Sequence, residues 1–286
     1  MHHAHPDRLP LVASVLHPTD FSPASDRAFA HALAIALLRQ TELTILHVGP
    51  DADSHTDWSR FPPVRKTLER WGLLEPGSTR SDVFDEFGVR VTKVAVSGRN
   101  PALKTAGFVD SNPPDLIVLA TEGREGPSRW FNRSDAEAMA RWTKTMTLFV
   151  PANLDRGLVS LDTGDLTLGN ILVPIDATPD CAEAIEFARR TADLLVEQNV
   201  DITLLHVGDG PSPEPELVDG EGWTFRTEQR RGEPATEILA AAESLAADLI
   251  VMPTAGHDGV LDALRGSTTE QVLRQARCPL LAVPAR

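Results

Sequence analysis

With 286 residues, 41 acidic against 27 basic side chains and a net charge of -14, the chain holds one large domain or two ordinary ones. The acidic balance argues against sequence-independent binding to DNA, RNA or an anionic membrane, which needs clustered Lys and Arg, so any anionic ligand has to be held locally. No run approaches the ~18 apolar residues of a membrane span, and Met-His-His-Ala-His-Pro at the start lacks a signal peptide's apolar segment, so a cytoplasmic protein is expected.

Taken in order, residues 11–19 make a short apolar strand, and Asp20-Phe-Ser22-Pro23 supplies an N-cap followed by a proline at the first helical position. The spacing of Ala28, Phe29, Ala32, Leu33 and Ala36 predicts a helix from Ala24 to about Arg39, with one small, apolar face suited to packing on a sheet. Residues 43–48 form a second strand. Val64, Leu68, Trp71 and Leu74 recur at helical spacing and predict an extra helix within residues 60–75, roughly Pro62 to Leu74. A strand over Arg90–Val96, a helix from about Pro101, a strand over Leu116–Ala120, a helix starting at Ser134 and a fifth strand over Thr147–Val150 follow.

The pattern then repeats. Asn170-Ile-Leu-Val-Pro174-Ile-Asp176 answers the first strand, with Thr178-Pro179 read as cap and first turn of a helix to about Gln198. Ile202-Thr-Leu-Leu-His206-Val207-Gly208 answers the second strand. Strands over Trp223–Gln229, Leu249–Met252 and Leu280–Val283 and helices from Pro234 and Ser267 complete the second copy. Where the first copy has its extra helix, the second has Gly208-Asp-Gly-Pro-Ser-Pro-Glu-Pro-Glu, too rich in Pro and Gly for a helix, so one face of copy two is expected to be less covered. Alternating strands and helices imply parallel sheets with helices on both faces. The expected organisation is two tandem α/β domains, residues 1–152 and 169–286, joined by a Gly/Asp-rich linker or hairpin at 153–168. The apolar fifth strands look like edges that can dock on each other, giving an intramolecular pseudo-dimer and leaving a homodimer of chains open.

After each fourth strand comes a glycine-spaced loop opening a helix, a geometry that aims backbone N–H groups at one spot suited to phosphate. In copy two it reads Gly256-x2-Gly259-x6-Gly266-Ser267-Thr268; in copy one, Gly123-x2-Gly126-x6-Arg133-Ser134. Together with Val-Pro-x-Asp after the sixth strand, His-Val after the seventh and Cys-Pro-Leu-Leu-Ala-Val-Pro at the close, this resembles a universal stress protein, repeated twice over nearly the whole chain. The resemblance implies a tandem pair of flavodoxin-like or Rossmann-like doubly wound domains, each with a five-stranded, mainly parallel sheet. It also implies ATP binding, with Mg²⁺, by members carrying Gly-x2-Gly-x9-Gly-Ser/Thr. Both loops here fall three residues short of that spacing. Copy one further replaces the last glycine by Arg133, whose side chain would obstruct close backbone approach, although its guanidinium could instead contact phosphate from the side.

On this resemblance the candidate nucleotide-binding residues are Pro174, Asp176, Val207, Gly256, Gly259, Gly266, Ser267 and Thr268. Asp176 would contact adenine or ribose, and the backbone of Val207 would meet adenine. Each has a plainer reading: Asp20 and Asp176 favour the positive end of the next helix, Val48 and Val207 end strands in a core, and Ser267-x-x-Glu270 and Ser134-x-x-Glu137 are capping boxes. His47 and His206 share a strand register and read as shielded neutral histidines bonded to a neighbouring loop. No metal site is indicated by Cys181, Cys278, His257 or the terminal histidines, and no nucleophile elbow is present, so no catalytic residue is named and ATP hydrolysis would be weak at most. The alternative is a nucleotide-free scaffold that binds a protein partner.

Overall fold

The structure is a computed structural model and describes residues 12–52, 56–121, 145–154, 157–194, 199–215, 217, 220–254 and 268–285. Within them the first half runs β1 (Ser14–Thr19), α1 (Pro23–Arg39), β2 (Glu42–Gly49), a 3-10 turn (Trp58–Arg60), α2 (Val64–Arg70), α3 (Arg80–Phe87), β3 (Arg90–Ser97), α4 (Pro101–Ser111), β4 (Leu116–Thr121) and β5 (Met146–Pro151). The second runs β6 (Asn170–Ile175), α5 (Ala182–Leu194), β7 (Val200–Val207), β8 (Trp223–Arg230), α6 (Pro234–Ser244), β9 (Leu249–Thr254), α7 (Thr268–Gln275) and β10 (Leu280–Pro284).

All ten strands form one sheet in the order β3-β2-β1-β4-β5-β10-β9-β6-β7-β8. Each half therefore has the order 3-2-1-4-5 of a Rossmann-like half rather than the 2-1-3-4-5 of flavodoxin. Pairing within each half is parallel, as helical crossovers require. The seam between halves is antiparallel, with Leu280 opposite Phe149, Leu281 opposite Leu148 and Ala282 opposite Thr147. The expected docking of the two fifth strands thus occurs as backbone pairing, which removes two apolar edges. The outer edges left over, β3 and β8, carry Arg90 and Lys93 and Arg226, Glu228 and Arg230, side chains that discourage a further strand from adding. Leu281, 2% exposed, lies in this seam. Leu281→Ala is expected to cost about 2–5 kcal/mol of unfolding free energy, read from urea titration; a loss below about 1 kcal/mol would show that the seam contributes little.

The helices begin and end where local chemistry dictates. Ser22 caps α1 by accepting the Ser25 N–H, with Pro23 in its first turn, as the sequence predicts. Asn100 and Glu233 cap α4 and α6 through the N–H groups of Leu103 and Thr236. Two expectations are corrected. The helix expected over roughly Pro62 to Leu74 ends at Arg70, because Gly72 turns left-handed at φ 71°. Trp71 and Leu74 are nevertheless buried beyond it, and α3 is an additional helix. In the second half, Thr178-Pro179 does not start the helix: α5 begins at Ala182, whose N–H is held by Asp180.

The linker forms the expected short hairpin, with Ser160 donating to the Asp165 carbonyl and Thr167 to the Leu158 carbonyl. Leu158 and Val159 are buried, and Trp71 donates from its indole to the Leu161 carbonyl at 3.0 Å. Asp115 and Asp248, which open the two Asp-Leu-Ile-Val runs, have matching structural roles. Asp115 accepts from the Ala13 N–H and the Ser14 hydroxyl, and Asp248 from the N–H groups of Gly169 and Asn170, so each fastens the fourth strand of its half to the first. Among the described residues no helix is long and apolar enough to cross a membrane.

Candidate functional site

In a sheet of this order, ligands bind beyond the carboxyl ends of the strands, where successive connections run in opposite directions. Here that point lies between β1 and β4 and between β6 and β9. β6 pairs with β9 only through Ile171 and Leu172, and β1 with β4 only through Val15 and Leu16. Beyond those residues the two strands of each half no longer pair. Pro174, lacking an N–H, therefore costs no ladder bond toward β9, and it is buried in β6.

The predicted residues that the structure describes fall at or after the ends of β6 and β7 and at the start of α7. Asp176 follows β6 and is exposed, its carboxylate accepting the Ala177 N–H at 2.7 Å. Val207 ends β7 half-buried, one position past the Ile175–His206 register pair. Thr268 opens α7 and is half-buried. Gly256, Gly259, Gly266, Ser267, His257 and the first-copy loop with Gly123, Arg124, Gly126, Arg133, Ser134 and Glu137 lie outside the described residues. Among the described residues no group of His, Cys, Asp or Glu is arranged to hold a metal ion.

The repeated His-Val-Gly has a common geometry. The Nδ1 of His47 bonds the Thr19 carbonyl at 2.9 Å and that of His206 the Ile175 carbonyl at 3.3 Å, so each histidine ties the end of the second strand to the end of the first. With Nδ1–H donating, Nε2 faces the glycine two residues on: a Cβ at Gly49 would stand 3.1 Å from it, and one at Gly208 3.2 Å. Glycine is thus needed for close approach to the imidazole. Beyond Val207 the turn is clamped by the Gln229 amide, which donates to the carbonyls of Gly208 and Gly210 at 3.0 and 2.9 Å.

The two halves differ one residue after the aspartate. In the first half Phe21 stacks on His47, centroids 4.1 Å apart, and meets Trp58 edge-on at 5.7 Å. Phe61 packs edge-on against Phe29 at 4.6 Å, and cations cover the outer faces, Arg60 over Phe21 at 5.5 Å and Lys93 over Phe61 at 5.0 Å. This end of the first half is filled by the chain's own rings. In the second half the corresponding residue is Ala177, and it stands at the mouth of a groove of about 940 Å³ between α5 and β8. Comparing Phe21 with Ala177 one residue past the matched aspartates is the signal that sequence reading missed.

Beneath the first-half cluster, burial pushes His17 down to about 4, against the raising effects of its bond to the Val118 carbonyl and the charge of Asp20. Its Nε2 lies 3.3 Å from the Ser25 hydroxyl, which donates to Thr19 Oγ1 at 2.7 Å. Ser25 is 2% exposed, so this network sets the end of β1 and is out of reach of a substrate. Cys278 is likewise inert: burial, aided by the charge of Asp248, pushes its thiol up to about 12.

Comparisons with known proteins agree with this architecture. The universal stress protein family model matches residues 13–151 and 216–284, the second stretch containing the glycine loop but not Asp176 or Val207. A universal stress protein of Mycobacterium tuberculosis is 22% identical over 92% of this chain and 94% of its own length. One from Methanocaldococcus jannaschii is 47% identical over 67 residues, 23% of this chain and 39% of that protein. The crystal structure of a universal stress protein from Archaeoglobus fulgidus superposes with a TM-score of 0.59 at 18% identity, covering 95% of this chain and 96% of that one. Matched along most of its length, in both halves of one doubly wound sheet, this chain belongs to the universal stress protein family.

Proposed function

We propose that the chain acts in a stress response by binding ATP, with Mg²⁺, in its second half, and works as a sensor or regulator. The observation that carries this reading is the asymmetry at the strand ends. One residue past the aspartate, the first half carries Phe21 stacked on His47, whereas the second carries Ala177, which leaves Asp176 beside open space. Asp176 and the end of β7 would hold the base and ribose, and the retained glycines of residues 256–266 would approach the phosphates. The Mg²⁺ would offset phosphate charge in a chain whose net charge is -14. For the first half the same observation favours the nucleotide-free alternative.

Thermal unfolding with millimolar MgATP tests the reading. A ligand at a hundred times its dissociation constant adds about 2.7 kcal/mol, a rise of several degrees in Tm. Ala177→Phe, which gives the second half the residue of the first, should abolish the rise, as should Gly266→Arg. A rise that survives both substitutions, or no rise in the unaltered chain, contradicts it.

A further inference from the structure

The groove between α5 and β8 exists because the chain lacks something there. The connection between second and third strands runs from Gly49 to Arg90 in the first half and from Val207 to Trp223 in the second, about 25 residues shorter. In the first half that connection lays α2 and α3 on the sheet face beside α1. Leu68 is fully buried, and Val64 and Val83 line one crevice with Val91 of β3. The register pairs His47–Ala95 and His206–Gln229 make Phe225 the counterpart of Val91. On the second half, Phe225 and Trp223 remain only partly buried and line the groove with Cys181, Ile185 of α5, Pro213 and Pro215.

The rim is acidic. Asp176, Asp180, Glu186 and Glu214 are exposed around it, and the one cation lining it among the described residues, Arg189, is bound in a fork to Glu186 at 2.7 and 2.8 Å while lying 6.0 Å from the Trp223 ring centroid. The segment that covers the equivalent face in the first half has the complementary character. Val64, Leu68 and Trp71 supply apolar anchors at i, i+4 and i+7, flanked by Arg65, Lys66 and Arg70 against the single Glu69. The chain's own copy is committed to the first half through buried Leu68.

We infer that the groove is the docking site for a basic amphipathic helix of a protein partner, which takes on the second half the place that α2 takes on the first. Apolar residues at i, i+4 and i+7 would enter over Trp223 and Phe225, and Lys or Arg on the flanks would meet Asp176, Asp180 and Glu214. Asp176 and Ala177 also border the nucleotide site proposed above, so the docking is tested without nucleotide.

The probe is a labelled synthetic peptide copying residues 61–75, titrated by fluorescence anisotropy against the full chain without nucleotide. Saturable binding is expected, weakening as salt rises. Phe225→Thr, which removes the ring but suits a strand, should weaken it about tenfold or more with unfolding temperature little changed, and Asp180→Lys should weaken it severalfold. Val91→Thr, the matched change on the first half, should leave it unaltered. No saturable binding, binding insensitive to Phe225→Thr, or loss on Val91→Thr overturns the proposal. Uptake of a small apolar dye sensitive to Phe225→Thr, without peptide binding, makes the groove a small-molecule site and also overturns it.

Discussion

Lowering the pH from 7 to 5 is expected to remove about 4 kcal/mol of folding stability through two buried histidines. His17 and His31 are both fully buried, and burial holds each at about 4, below the ordinary 6.5. Folded, they stay neutral until about pH 4; unfolded, they take up protons near 6.5. The unfolded chain therefore binds more protons throughout that window, so stability is complete above 6.5, falls as pH drops toward 4 and takes no further loss from these groups below. Asp26, raised by burial and by the charge of Asp20, acts in the opposite direction as it protonates, and offsets part of the loss at the acid end. His31 isolates the effect. Its Nδ1 bonds the Arg27 carbonyl at 2.8 Å, and its Nε2 has no hydrogen-bond partner among the described residues. His31→Leu keeps the volume, removes an unsatisfied acceptor and should halve the pH slope in urea unfolding at pH 7 and 5. A slope unchanged in the variant would mean that His31 is protonated when folded.

Phe61→Ala is expected to cost about 3–5 kcal/mol in the same assay, the range for emptying an aromatic site in a core. Phe61 is 1% exposed and stands among Phe29, Trp58, Phe21 and His17, with ring centroids 4.6, 6.1, 6.3 and 6.2 Å away, beneath Lys93. Its edge-on contacts should add about 0.5–1.5 kcal/mol each beyond area burial, though not additively. The consequence for function is selective: loosening the first-half cluster should leave a nucleotide response of the second half intact. A loss near 1 kcal/mol would show that Trp58 and Phe21 collapse into the space and that the cluster is less tightly packed than its geometry indicates.

Much of the architecture was legible because the chain states it twice. Strand positions, the cap at Ser22, the helix starts at Pro101 and Pro234, the pairing of the fifth strands and the lighter covering of the second half all follow from period, punctuation and the comparison of copies. What failed did so for local reasons. Ser-Asp-Val-Phe-Asp-Glu-Phe within α3 has too little apolar periodicity to read as a helix, and Gly72 ended α2 while the burial pattern of Trp71 and Leu74 carried on through the turn. Strand order is a tertiary property, written in where β1 and β6 stop pairing rather than in their composition. At the site, attention to the glycines hid the residue beside the aspartate. Phe21 reads as one apolar side chain at a helix start, and only its stacking on His47 shows that it closes the first-half edge. The role of Trp58 and Phe61 was equally hidden, since they come from an insertion without counterpart in the second copy.

The central claim is that the second half, and not the first, holds an adenine nucleotide. Isothermal titration of the full chain with MgATP tests it most directly. The account predicts one site per chain, unaffected by Phe61→Ala and lost in Ala177→Phe. Two equivalent sites, a site that survives Ala177→Phe, or no heat of binding at millimolar nucleotide would contradict it.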